Sequence, residues 1–199
     1  MHLNLVQLVE QVGYVGIFVC IFLESFPMTF FLPGDSLLFT TGFLASQGHF
    51  NLTMLITILF LASISGYMFS YAMGEKLRDI ILRSNDVYWF KKKHLEYTQQ
   101  FYDKYGVKTV IIGRFVPIVR SFGPTLAGAV KMQYSKFIRY TILGGIFWTG
   151  GLTSIGFYLG KSIPGAHLYL TPIILAIIFV SLLPTIIQYI QNKRENRNK

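Results

Sequence analysis

The chain has 199 residues, 52% of them hydrophobic, with a mean hydropathy of +0.48 and a formal net charge of +9. That much apolar surface, gathered in long runs, points to an integral membrane protein rather than a soluble domain. The single cysteine, Cys20, excludes a disulfide framework and is read as a packing residue, while the clustering of the basic residues speaks against a nucleic-acid site.

The N-terminal stretch MHLNLVQLVEQ holds no Lys or Arg, so the basic start of a cleavable signal peptide is missing. The first apolar run, Gly13–Leu23, covers about 17 Å as helix, roughly half a bilayer core. It leads into ESFPMTFFLPGD, which opens with Glu24, closes with Asp35 and carries Pro27 and Pro33-Gly34, residues that break helix. A second short run, Ser36–Ala45, follows. Two half-length arms around a broken tip describe a re-entrant hairpin, which is tolerated at membrane depth only where protein or a watery cavity surrounds it. After a polar cap at Asn51, a helix over 52–74 is long enough to cross.

Segment 77–105 mixes charge with Ile, Leu, Trp, Phe and Tyr and reads as amphipathic helix on the inner surface. The hairpin design then recurs. A short arm, Val107–Ile112, leads to GRFVPIVRSFGPTLAG, with Arg114, Pro117, Arg120 and Pro124, and a second arm, Thr125–Val130, follows. A cap at Ser135 precedes a crossing helix over 136–160, and a last apolar helix spans 168–190 before the basic tail 191–199. In both hairpins a proline stands three residues after the first charge, Glu24 to Pro27 and Arg114 to Pro117, and the following helices end alike in YAMGEK and YLGK. The chain is therefore read as one all-α membrane domain over 1–199. It holds two inverted repeats, about 13–76 and 106–161, each a re-entrant helical hairpin plus a transmembrane helix, with a C-terminal transmembrane helix.

Charge sets the orientation. No Lys or Arg occurs in 1–75, whereas eight lie in 75–108, three in 131–139 and four in the tail. With the N-terminus outside, hairpin one enters from outside and hairpin two from inside. Fifteen basic residues then face the cytoplasm beside anionic lipid headgroups, and only Lys161 lies outside. A rival topology in which every apolar run spans would place Glu24 or Asp35 among lipid tails, at high cost.

The motifs E…P…FLPGDSLL…GFLA and GRFVPIVRSFGP…AG resemble the DedA family, which shares its core with the eukaryotic VTT-domain, or SNARE-associated-type, membrane proteins. The resemblance covers roughly residues 13–161. It implies a multi-pass protein of the bacterial cytoplasmic membrane that translocates lipid: bacterial members are associated with returning undecaprenyl phosphate across the membrane in dependence on the proton gradient, and eukaryotic relatives with scrambling. The family's two membrane acids match Glu24 and Asp35, and its two arginines match Arg114 and Arg120. Many members have Gly-Asp in the helix after the first hairpin. Here the pair is Gly66-Tyr67, which leaves the subfamily and its lipid open.

The residues themselves support an anion site. Arginine stays charged and offers a planar fork of donors, so Arg114 and Arg120 can converge on one phosphate, helped by oriented N–H groups at broken helix ends. Burial and a neighbouring arginine pull a carboxylate's pKa in opposite directions, which keeps Glu24 and Asp35 responsive to protons. In the cycle this suggests, the acids neutralise the arginines until a phosphate competes for them, and protons are exchanged. A scaffold in which the four charges only fasten two hairpins, an uncoupled scramblase or ion channel, and an ion-coupled transporter of another substrate are the alternatives. Glycines 144, 145, 150, 151, 156 and 160 invite close helix approach, Trp148 reads as packing or an interfacial anchor, and His49 and His167 fall near the outer interface. No HExxH, GxSxG, P-loop or metal-ligand spacing occurs, so neither an enzyme, a metal nor a cofactor is expected. A homo-oligomer is left open.

Overall fold

The computed structural model describes residues 5–29, 32–78 and 92–162, and every regular element among them is helical. Helix α1 runs Leu5–Glu24 but is interrupted at Gly13, whose φ of 59° and ψ of −163° suit only glycine, so a separate short arm approaches Glu24. A 3-10 turn, Pro27–Thr29, follows, and α2 occupies Gly34–Ser46 directly after Pro33. The end of α2 is a Schellman motif: Gly48 takes φ 90°, His49 N–H donates to Leu44 O and Gly48 N–H to Ala45 O. Helix α3, Leu52–Lys76, starts as expected at Asn51, whose side chain accepts from Met54 N–H at 3.1 Å.

Helix α4 spans Lys92–Tyr105. Its apolar face is not left on a surface but packs on a later helix, α6. The expected single arm over Val107–Ile112 is instead three short turns: 3-10 at Gly106–Lys108, α5 at Thr109–Ile112, and 3-10 at Gly113–Phe115. Helix α6 runs Pro117–Ala129. Pro117 therefore starts a helix rather than breaking one, because at the first helical position its missing N–H is not needed. Pro124 corrects the expectation of a breaker too. It lies inside α6, leaving the Arg120 carbonyl without its usual bond from four residues on. The end of α6 repeats the Schellman pattern, with Lys131 at φ 55° in the place of Gly48 and Met132 N–H donating to Ala127 O.

The next helix begins at Tyr134 with Gln133 in the cap position and no capping side chain, so Ser135 is not the cap. It runs as α7, Tyr134–Gly145, through a π-helical turn, Ile146–Gly150, into α8, Gly151–Ser162. The sequence expectations for residues 79–91, helix 168–190, His167 and the tail lie outside the described residues.

Two antiparallel crossings hold these elements together, α2 on α8 and α3 on α6. Each is a close backbone approach at reciprocal positions. A Cβ on Gly42 would strike Thr153 O and one on Gly156 would strike Phe39 O. At the other crossing, Gly74 faces Thr125 O and Gly128 faces Tyr71 O in the same way. Small residues let helix backbones meet where apolar burial supplies no net drive.

Among the described residues, α3 and the continuous helix Tyr134–Ser162 are long and apolar enough to cross a membrane. Both leave large apolar side chains facing outward, among them Leu61, Phe69, Phe147 and Ile155. Such a belt is an aggregation hazard in water and is satisfied in lipid.

Candidate anion site

The four charges foreseen from sequence gather where the end of α1, the start of α2, the approach to α6 and its first turns meet. Glu24 ends α1 and is 2% exposed. Hydrogen bonds fasten that end to two helices: Ser70 Oγ donates to Ser25 O at 2.7 Å, and Ser121 Oγ to Glu24 O at 3.2 Å. Gly34 opens α2 directly against the Glu24 carboxylate, so any Cβ there would overlap it. Asp35 follows, and its side chain, 19% exposed, is the most accessible of the four.

Arg120 sits on the first turns of α6 and is 3% exposed. Its guanidinium spans both acids. Nη2 pairs with Glu24 Oε1, and Nη1 donates to Asp35 Oδ1 at 2.7 Å. Trp148, from the π turn, completes this cluster. Its indole N–H donates to the same Asp35 oxygen at 2.8 Å, and its ring lies 5.1 Å from the Arg120 guanidinium carbon.

Arg114 stands differently. It lies in the 3-10 turn before α6 and is 0% exposed. Nη1 donates to Ser63 Oγ on α3, Nη2 to Thr141 O on α7 at 3.2 Å, and the guanidinium carbon lies 3.9 Å from the centre of the Tyr67 ring. Its Nε finds no acceptor, and among the described residues no carboxylate lies within ion-pair distance of it. The acids thus do not neutralise one arginine each; both are committed to Arg120.

Of the expected tip residues, Pro27 opens the 3-10 turn, Pro33 precedes α2, and Gly34 makes room for Glu24. Trp148, Ser63 and Thr141 were not legible as site residues. The one signal for Trp148 is its setting, GGIFWTGG, with glycine pairs on both sides. Cys20 is half-buried, and His49 lies in the exposed turn after α2.

The VTT-domain family model matches residues 32–158, more than half of the chain, and takes in Asp35, both arginines and Trp148. The chain belongs to the DedA family of VTT-domain membrane proteins. Protein DedA of Escherichia coli is 38% identical over 197 residues, covering 96% of this chain and 90% of the relative. An uncharacterized membrane protein of Mycobacterium tuberculosis is 37% identical over 185 residues, 92% of this chain and 81% of the relative. Inner membrane protein YqjA of Escherichia coli is 33% identical over 154 residues, 75% and 68% of the two chains. No solved structure matches the chain. Membership of this family, with the outward apolar belt, makes the protein a membrane protein.

Proposed function

We propose that this DedA-family protein is a translocator, not an enzyme. It moves an anionic lipid phosphate, undecaprenyl phosphate first among candidates, across the bacterial cytoplasmic membrane with the proton gradient as its drive. The observation that carries the reading is Arg114, a fully buried cation with no carboxylate within ion-pair distance among the described residues. Burying a charge costs several kcal/mol unless an opposite charge or good hydrogen bonds offset it. A neutral hydroxyl, a carbonyl and a ring face do so only in part. A phosphate bridging Arg114 and Arg120 would complete the compensation.

In this reading Glu24 and Asp35 occupy Arg120 while the site is empty. An arriving phosphate takes their place, the displaced acids accept protons, and release on the other face reverses the exchange. Two inverted repeats would let the site face each side in turn. The matched α2–α8 and α3–α6 crossings support that architecture. So does the distribution of Lys and Arg, which puts the N-terminus outside, the C-terminal tail inside and anionic headgroups against the basic segments.

The pairing of both Arg120 Nη atoms with carboxylates, although its Nε, like that of Arg114, finds no acceptor, also favours a second reading, in which the charges only fasten α1 and α2 to α6. Flux decides. Purified protein in vesicles should carry a short-chain polyprenyl phosphate under an imposed pH gradient, and Arg114→Lys should fold normally yet lose that flux. Flux indifferent to the gradient would mean a scramblase. No flux from well-folded protein, across several anionic lipids, would leave the fastening role.

A further inference from the structure

Trp148 makes polar contacts as well as packing. It is 2% exposed and touches two members of the charge cluster, giving its N–H to Asp35 at 2.8 Å and its ring to Arg120. It rides on the π-helical turn Ile146–Gly150, the one departure from α geometry inside the helix that runs from Tyr134 to Ser162. Such turns are rare inside α-helices and are frequent at functional sites. Thr149 Oγ donates back to Gly145 O at 2.7 Å, a bond that competes with the helix ladder and favours bending there.

The flanking glycines divide into two kinds. Gly144 and Gly145 are pressed against Arg114 and Phe60, where a side chain would crowd. Gly150 and Gly151 have nothing within 4 Å of where a Cβ would stand. Packing therefore does not demand glycine at 150 and 151, and what they contribute is backbone freedom just after Trp148.

We infer that Trp148 is a positioning residue of the anion site. Carried on a hinge made of the π turn and Gly150-Gly151, its indole holds Asp35 on Arg120 while the site is empty and swings away when a phosphate takes the place of Asp35. The inference rests on the phosphate reading above. It adds the element that couples occupancy of the site to the shape of a crossing helix.

The chain has only two tryptophans, Trp89 and Trp148, so Trp89→Phe leaves Trp148 as the sole indole reporter. In detergent, a radiolabelled short-chain polyprenyl phosphate should produce a saturable change in Trp148 emission, and the corresponding alcohol should produce none. Gly150→Ala with Gly151→Ala has room for both methyls. It should retain the labelled lipid while blunting the emission change. In a second variant that keeps Trp89, Trp148→Phe should bind the phosphate about tenfold more tightly, because Asp35 loses a hydrogen bond that holds it in the competing position. A merely structural tryptophan would give weaker binding instead. Retention of the lipid with unchanged Trp148 emission, or weaker binding by Trp148→Phe, overturns the hinge and leaves the phosphate reading intact. No retention by the parent protein overturns both.

Discussion

Arg114 and Arg120 belong to one motif, six residues apart, yet fold into opposite electrostatic settings. Arg120 points from α6 toward the end of α1 and the start of α2, where two carboxylates meet it. Arg114 leaves the preceding 3-10 turn toward α3 and α7 and meets a hydroxyl, a carbonyl and an aromatic face. The four charges sum to zero, but not locally. Two carboxylates are in contact with one arginine, and among the described residues none is within ion-pair distance of the other. That imbalance favours the proposed reading, in which the site receives an anion, over one in which the charges only fasten helices.

The contrast is tested hardest by removing Arg120. Arg120→Ala strands two carboxylates that it now holds, and breaking a buried pair this way costs about 3–5 kcal/mol. The variant should fall sharply in yield and thermal stability on size-exclusion in detergent. Adding Glu24→Gln and Asp35→Asn removes the stranded charges and should restore most of that stability without restoring flux. If Arg120→Ala is as stable as the parent, the pairing described here is not what holds the site.

Arg114→Met should behave in the opposite way. No carboxylate is left unpaired, and the loss of two hydrogen bonds and a ring contact is offset by the charge burial it relieves, so stability should change by no more than about 1 kcal/mol. Retention of a lipid phosphate should nevertheless disappear. A stability loss matching that of Arg120→Ala would erase the distinction between the two arginines.

Much of this arrangement was legible in the chain, and the misses share a cause. Charges inside apolar runs are conspicuous because membrane burial makes them expensive, so Glu24, Asp35, Arg114 and Arg120 stood out as a set. Cap chemistry is local, so Asn51 located the start of α3. Tertiary geometry is not local. Whether each acid has its own arginine depends on side-chain directions set by α3, α7 and the α1–α2 junction, and no spacing encodes that. Pro124 shows the limit of reading proline as punctuation, since packing of α6 against α3 carries the helix through it. Trp148 was missed because a tryptophan in an apolar helix is ordinarily lipid-facing or core, whereas this one lies in a π turn and gives its N–H to Asp35.

The smallest expected effect sharpens the account of Arg114. Tyr67 is buried with Tyr71, Val110, Ala127 and Phe137 and also offers its ring to Arg114, so its packing and its cation contact must be separated. Tyr67→Phe keeps the ring face and should leave stability within about 0.5 kcal/mol, since a cation–π contact depends on the ring. Tyr67→Leu loses ring area as well as the contact, and its cost alone is ambiguous. A double-mutant cycle resolves it. If the ring supports the cation, Tyr67→Leu should cost about 0.5–2 kcal/mol less in an Arg114→Met background than in the parent. Equal costs in both backgrounds would mean that Tyr67 only fills space. Arg114 would then have less compensation for its burial, and the proposed anion would have to supply more of it.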